Sequence, residues 1–222
     1  MTTSESLSGP ASVGVVGAGP VGRGLALLLD RAGYTVTIGT RTPDDPKMRG
    51  LSGRITIGSF AEAAEGELVF LSVVHSASRD LALSLSGALA GKVLVDTDNA
   101  WIQSHYVAAG LSEHLTEGTW MSRLLPDSTV ARAFSHIDWD VLVPAATEKP
   151  GHWATGYAID DPSTGRVLER VIRDIGYEPV RVGTLAESIA LDAGGALWSR
   201  MFTPAAMRQA LGLPAPATEG RP

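Results

Sequence analysis

The chain has 222 residues, a formal net charge of −6, 44% hydrophobic residues and no cysteine. That length suits one α/β domain with a modest appendage; the acidic balance without basic clusters argues against nucleic acid or an anionic membrane as partner. Missing thiols exclude disulfides, thiolate metal sites and a cysteine nucleophile. The opening MTTSESLSGPA lacks the basic flank and apolar core of a signal peptide, and the apolar runs are strand-length, so a soluble cytoplasmic protein is expected.

Residues 1–11 read as a flexible tail, rich in Ser, Thr, Gly and Pro. Val13, Val15 and Val16 form a β-branched run that ends at Gly17-Ala18-Gly19-Pro20-Val21-Gly22, a G-x-G-x-x-G. Leu25, Leu28 and Leu29 then recur at helical spacing as far as Gly33, and Tyr34 to Ile38 reads as a second strand. A glycine-rich turn occurs in many α/β proteins, but here it joins strand to helix inside a βαβ unit. There Gly17 permits the tight turn, Gly19 lets backbone approach a pyrophosphate, and Gly22 lets helix pack on strand. The helix start adds free N–H groups and a positive dipole end, so a dinucleotide site is expected.

An NAD-preferring site carries Asp or Glu about 20 residues beyond the first glycine. Here that place reads Gly39-Thr40-Arg41-Thr42. Arg41 can grip a 2'-phosphate through its planar fork, the hydroxyls of Thr40 and Thr42 can donate to it, and Lys47 can add a point charge. The alternative is that Arg41 opens a solvated loop. The expected nucleotide is NADP(H).

A polar loop follows, then a short strand at Ile55 to Ile57 and a helix capped by Ser59 and Glu62. Leu68 to Val74 reads as a central strand ending at His75, Asp80 to Leu89 as a helix stopped by Gly91, and Lys92 to Asp96 as a strand running into Thr97-Asp98-Asn99-Ala100-Trp101. Leu111 to Leu125 reads as a helix, and Thr129 to Phe134 as a strand ending at Ser135-His136-Ile137. Alternating strands and helices predict a doubly wound parallel sheet of the Rossmann-like NAD(P)-binding kind over residues 12–137, with ligands beyond the carboxyl ends of the strands. His75, Asp98, Asn99, Ser135 and His136 should then meet at one crevice.

Residues 138–212 are expected to supply the remaining strands, Gly156 to Ile159 and Pro179 to Val182, a helix over Ser163 to Ile175, and a small C-terminal helical extension. The segment Ile137 to Trp153 reads as a loop: a lid, an edge cover or a partner surface. Ala186 to Phe202 is apolar enough to pack on the sheet or on a second subunit, and a homodimer is expected. Residues 213–222 read as a second flexible tail.

Taken in order, GAGPVGRGLALLLDRAGYTVTIGTR, VFLSVV, VLVDTDNAW, LLPDSTVARAFSHI, GYAIDD and IRDIGYEPVRVGTLAES resemble the F420-dependent NADP oxidoreductases, NADPH-dependent reductases of the deazaflavin coenzyme F420. The similarity covers roughly Val13 to Met201. It implies that Ala18 to Gly22 hold the pyrophosphate and that Thr40 and Arg41 hold the 2'-phosphate. Val73, Val74 and His75 would lie along the cofactor, with Asn99 and Ala100 near the nicotinamide. Two departures fall at the expected mouth: where relatives read A-F-N-T-I this chain has Ala133 to Ile137 with Ser135-His136, and where they read D-A-T-N-P it has Asp96-Thr97-Asp98-Asn99-Ala100. Asp98, Trp101, Ser135, His136 and Trp139 are the candidate substrate contacts.

The leading expectation is hydride transfer between NADPH and coenzyme F420, for which no general acid is strictly needed. A second is reduction of a C=O, C=N or C=C bond of a small metabolite. For a carbonyl or imine, His136 is the candidate proton donor, unless it is a core histidine bonded to backbone. A third is a non-catalytic NADP(H)-binding sensor. His105, His114 and His152 have no metal-ligand spacing, so no metal is expected.

Overall fold

In a computed structural model, residues 10–51, 53–99, 101–102, 105–106 and 115–215 are described, with backbone alone at 101–102 and 105–106. The chain runs β1 (Ser12–Val16), α1 (Pro20–Arg31), β2 (Thr35–Gly39), β3 (Thr56–Gly58), α2 (Phe60–Ala64), β4 (Leu68–Leu71), α3 (His75–Ser84), α4 (Ser86–Leu89) and β5 (Val93–Asp96). A small antiparallel pair follows, β6 (Trp101–Ile102) with β7 (His105–Tyr106). The remainder is α5 (Glu117–Leu124), β8 (Thr129–Ala133), α6 (Trp139–Glu148), β9 (Ala154–Ile159), α7 (Pro162–Asp174), β10 (Glu178–Gly183) and α8 (Pro204–Ala210), with a 3-10 segment at Leu185–Leu191.

The described residues form an eight-stranded sheet ordered β10-β9-β8-β5-β4-β1-β2-β3. From β3 to β8 neighbours are parallel, and every residue of β4 is buried, as a strand covered on both faces requires. The strand order reverses between β1 and β4, the place where an open α/β sheet leaves a crevice beyond its carboxyl ends. The Rossmann-like α/β architecture is as expected, with one correction: β9 pairs antiparallel to β8, and β10 runs parallel to β9.

Three further differences have local causes. Asp80 to Leu89 is two helices, because Leu85, with φ −99° and ψ 1°, breaks the ladder between α3 and α4; α3 starts at His75. The stretch read as a loop from Ile137 to Trp153 holds α6, ten residues long with Pro144 inside it. α6 lies on α1: the side chains of Leu142 and Val143 reach Gly24, where a Cβ would meet them at 3.1 and 3.3 Å, and Tyr177 Oη donates to Leu142 O at 2.6 Å. It is therefore a packed flank rather than a lid. Of the helix expected over Leu111 to Leu125, α5 forms the end, and 107–114 lie outside the described residues.

The Ser59 cap is as read: Ser59 Oγ accepts from Glu62 N at 3.2 Å and Glu62 Oε2 accepts from Ser59 N. Residues 186–202 pack inward, with Leu191 and Leu197 fully buried and Phe202 O accepting from Ala154 N at 2.8 Å.

Candidate functional site

The β1–α1 turn sits where the glycines require it. Gly17 has φ 115°, and a Cβ there would lie 2.1 Å from Ser72 O; one at Gly22 would lie 2.0 Å from Gly17 O. Both positions exclude a side chain because backbone occupies the space. A Cβ on Gly19, by contrast, would meet nothing within 4 Å. Nothing in the fold demands glycine there, so the open space is a cradle beside the start of α1. Arg23 braces the turn by donating to Ala18 O at 2.7 Å.

A cleft of about 770 Å³ opens from this turn. It is lined by Gly17, Ala18, Gly19, Pro20 and Val21, at one end by Thr40, Arg41, Thr42 and Lys47, and at the other by Ser72, Val73, Val74, His75, Thr97, Asp98 and Asn99. Thr40 Oγ1 accepts from Thr42 N at 3.2 Å, turning the chain after β2. Lys47 pairs with Asp45 at 2.9 Å. Arg41 is exposed and has no hydrogen-bond or ion-pair partner among the described residues.

The opposite end is polar and buried. His75 Nδ1 lies 3.4 Å from Asp98 Oδ1, and its ring faces Trp120 with centroids 5.4 Å apart. The Asp98 contact raises the imidazole pKa against the opposing effect of burial. Thr97 Oγ1 donates to Leu71 O, and Asp98 N to Asp96 Oδ1, which hold the turn after β5. Behind it Arg132, wholly buried, donates to Asp96 Oδ2 at 2.9 Å, to Asp192 Oδ1 at 2.8 Å and to Glu117 Oε2. Burial would lower the guanidinium pKa, but these three carboxylates raise it, so it stays charged. Burial, with the charge of Asp98, pushes Asp96 well above the usual carboxylate range.

Ser135 and His136 do not reach the cleft. Phe134 adopts φ 63°, its ring held edge-on between Phe70 and Tyr177, and the chain turns inward instead of opening at the end of β8. Ser135 Oγ donates to Leu191 O at 3.0 Å, so the 3-10 segment fills the place a ligand would take. His136 is 1% exposed; its Nε2 accepts from Gly156 N at 3.0 Å. Burial, aided by the Arg132 charge, pulls its pKa down to about 4. It is a core histidine, not a proton donor to a ligand. Trp139 is 62% exposed on α6 and away from the cleft; Ala100 and the side chain of Trp101 lie outside the described residues.

Sequence reading missed one wall. Ala77, Asp80, Leu81 and Ser84 of α3 line the cleft with Phe60; extending the helical spacing in both directions from Leu81 would have found the α3 residues. It also missed Glu117 and Trp120, brought beside His75 from α5.

Residues 12–100 match the model of a family described as NADP oxidoreductase, coenzyme F420-dependent. Over 183 residues, 82% of the chain, the protein is 28% identical to the metalloreductase STEAP3 of Rattus norvegicus, and it spans about a third of that relative's length (36%). Among solved structures it superposes on a hypothetical protein of Sinorhizobium meliloti with TM-score 0.78, 22% identity and coverage of 87% of this chain and 95% of the other. A candidate F420-dependent NADP-reductase of Arthrobacter sp. FB24 gives TM-score 0.67, 21% identity and coverage of 80% and 86%. Residues 12–100, which carry the glycine turn and the residues that line the cleft, are similar to the coenzyme F420-dependent family of NADP oxidoreductases.

Proposed function

We propose that the protein transfers hydride between NADPH and a second substrate seated at the His75–Asp98 end of the cleft, and that this substrate is the deazaflavin coenzyme F420. The observation that carries the reading is Arg41: an exposed guanidinium without a hydrogen-bond or ion-pair partner among the described residues, just after β2, on the wall of a cleft whose other feature is the Gly19 cradle. Thr40, Arg41 and Thr42 would hold a 2'-phosphate, while Lys47, already paired with Asp45, adds less than an unpaired lysine would. Ala18 to Gly22 would meet the pyrophosphate through backbone N–H groups. Bound NADPH supplies the hydride from its nicotinamide ring. Val74, 70% exposed on the cleft wall, offers an apolar shelf to a flat ring. The family description supports F420 as that ring. The His75–Asp98 pair favours a second reading, a C=O or C=N bond of a small metabolite, because such an acceptor is oriented by hydrogen bonds more than by stacking.

Titration calorimetry with NADPH and NADH tests the nucleotide. Losing one charge-assisted contact costs about 1.5 to 3 kcal/mol, so Arg41→Ala should weaken NADPH binding about ten- to more than a hundredfold and leave NADH nearly unchanged. Equal weakening of both removes the assignment. Bleaching of the F420 absorbance by NADPH then supports the first acceptor; silence with F420 but oxidation of NADPH by carbonyl or imine compounds supports the second. Binding without turnover by any acceptor leaves a sensor.

A further inference from the structure

Asp98 is 4% exposed, and its Oδ2 is buried with no hydrogen-bond partner. Carboxylate oxygens so placed are rare because desolvation goes uncompensated. The other oxygen of the same carboxylate faces His75 Nδ1. Ligand-type atoms of His75, Asp98 and Glu117, from three separate elements, lie within 4.8 Å of one another, and all three residues are buried. Among the described residues the surrounding charge does not balance: Asp98, Glu117 and Asp192 are buried together with one guanidinium, Arg132, which is bonded to Glu117 and Asp192. A low-dielectric cluster with more carboxylates than cations attracts a further positive charge.

We propose that His75, Asp98 and Glu117 bind a divalent transition-metal ion. One imidazole nitrogen with two carboxylates suits a borderline ion such as Zn²⁺, Co²⁺ or Mn²⁺; Mg²⁺ and Ca²⁺ favour oxygen alone. Such an ion holds ligands about 2.0–2.2 Å away, so tetrahedral ligand atoms lie about 3.3–3.6 Å apart, and the trio closes on it by side-chain shifts of about an ångström. Glu117 shares its carboxylate with Arg132, which orients it. Three protein ligands leave coordination positions open, the arrangement of sites that meet a substrate. His75 and Asp98 line the cleft, so those positions border it. The inference uses nothing from the nucleotide reading.

The test is Co²⁺ titration of metal-stripped full-length protein, followed by visible absorption. A single ion per chain should give ligand-field bands of a nitrogen–oxygen site, and Zn²⁺ should displace them. Asp98→Asn and His75→Gln should each weaken Co²⁺ binding by about a hundredfold or more, since residues that merely support a ligand already contribute ten- to hundredfold. Circular dichroism confirms that each variant folds, and either folded variant suffices. No bands in the wild type overturns the proposal. So do bands unchanged in a folded variant, which would place the ion on other histidines.

Discussion

Arg41 and Arg132 show how one side-chain type serves two ends. Arg41 follows β2, stands exposed at the cleft rim and has no hydrogen-bond or ion-pair partner among the described residues. Arg132 lies within β8, wholly buried, and joins carboxylates from β5, from α5 and from the segment after Leu191. A charge left in water costs the fold little and is available to a ligand. A charge taken out of water must be met on every side, so Arg132 ties three parts of the chain to one arrangement. The N-terminal half is accordingly built around an opening, and the C-terminal half around a sealed polar knot.

The largest expected effect lies in that knot. Arg132→Met should leave Asp96, Glu117 and Asp192 buried without their cation and cost about 3–5 kcal/mol. Urea denaturation reads it, and a loss below about 1 kcal/mol would mean the cluster is more hydrated than the structure indicates. The same region should also be acid-sensitive. His136 has its pKa pulled from 6.5 down to about 4, so the folded state binds its proton less readily than the unfolded chain. Its contribution is fully present above pH 6.5 and is lost as pH falls toward 4, by about 3 kcal/mol at most. Unfolding free energies measured across that window should fall in the wild type and fall less in His136→Gln, whose amide oxygen can still accept from Gly156 N.

Smaller effects are expected on the open side. Gly19→Ala meets no atom in the fold, and φ −68° suits alanine, so the melting temperature should hold while NADPH affinity drops at least about tenfold, roughly 1.4 kcal/mol. If affinity is untouched, the cradle does not hold the pyrophosphate. Ser59→Ala removes the cap of α2 and should lower stability by about 1 kcal/mol, with nucleotide affinity nearly unchanged; thermal melts and calorimetry separate the two.

Much of the nucleotide half was legible because its determinants are local. The turn from β1 to α1 needs glycine at Gly17 for its φ of 115° and at Gly22 for a backbone contact five residues back, the Ser59–Glu62 box spans one helical turn, and the absence of an acid at Thr40 to Thr42 can be read directly. Each of these interactions is written in neighbouring residues, and the structure has them where they were expected. The apolar runs from Leu68 to Phe134 likewise sufficed for the order of β4, β5 and β8, though not for the break at Leu85 or the β6–β7 pair.

What escaped the sequence depends on partners far along the chain. The rule that strand ends face the crevice placed Ser135 and His136 at the mouth, but Phe134 turns the backbone inward and the Leu185–Leu191 segment covers the end of β8. A stretch with Pro144 inside read as a loop, yet it becomes α6 because α1 and Tyr177 hold it. His75, Asp98 and Glu117 carry no common spacing, and only the packing of α3, the β5 turn and α5 brings them together. Backbone geometry and local capping are short-range and survive in the linear order of residues. Burial, and with it the fate of every charge in the knot, is decided by which distant surfaces meet.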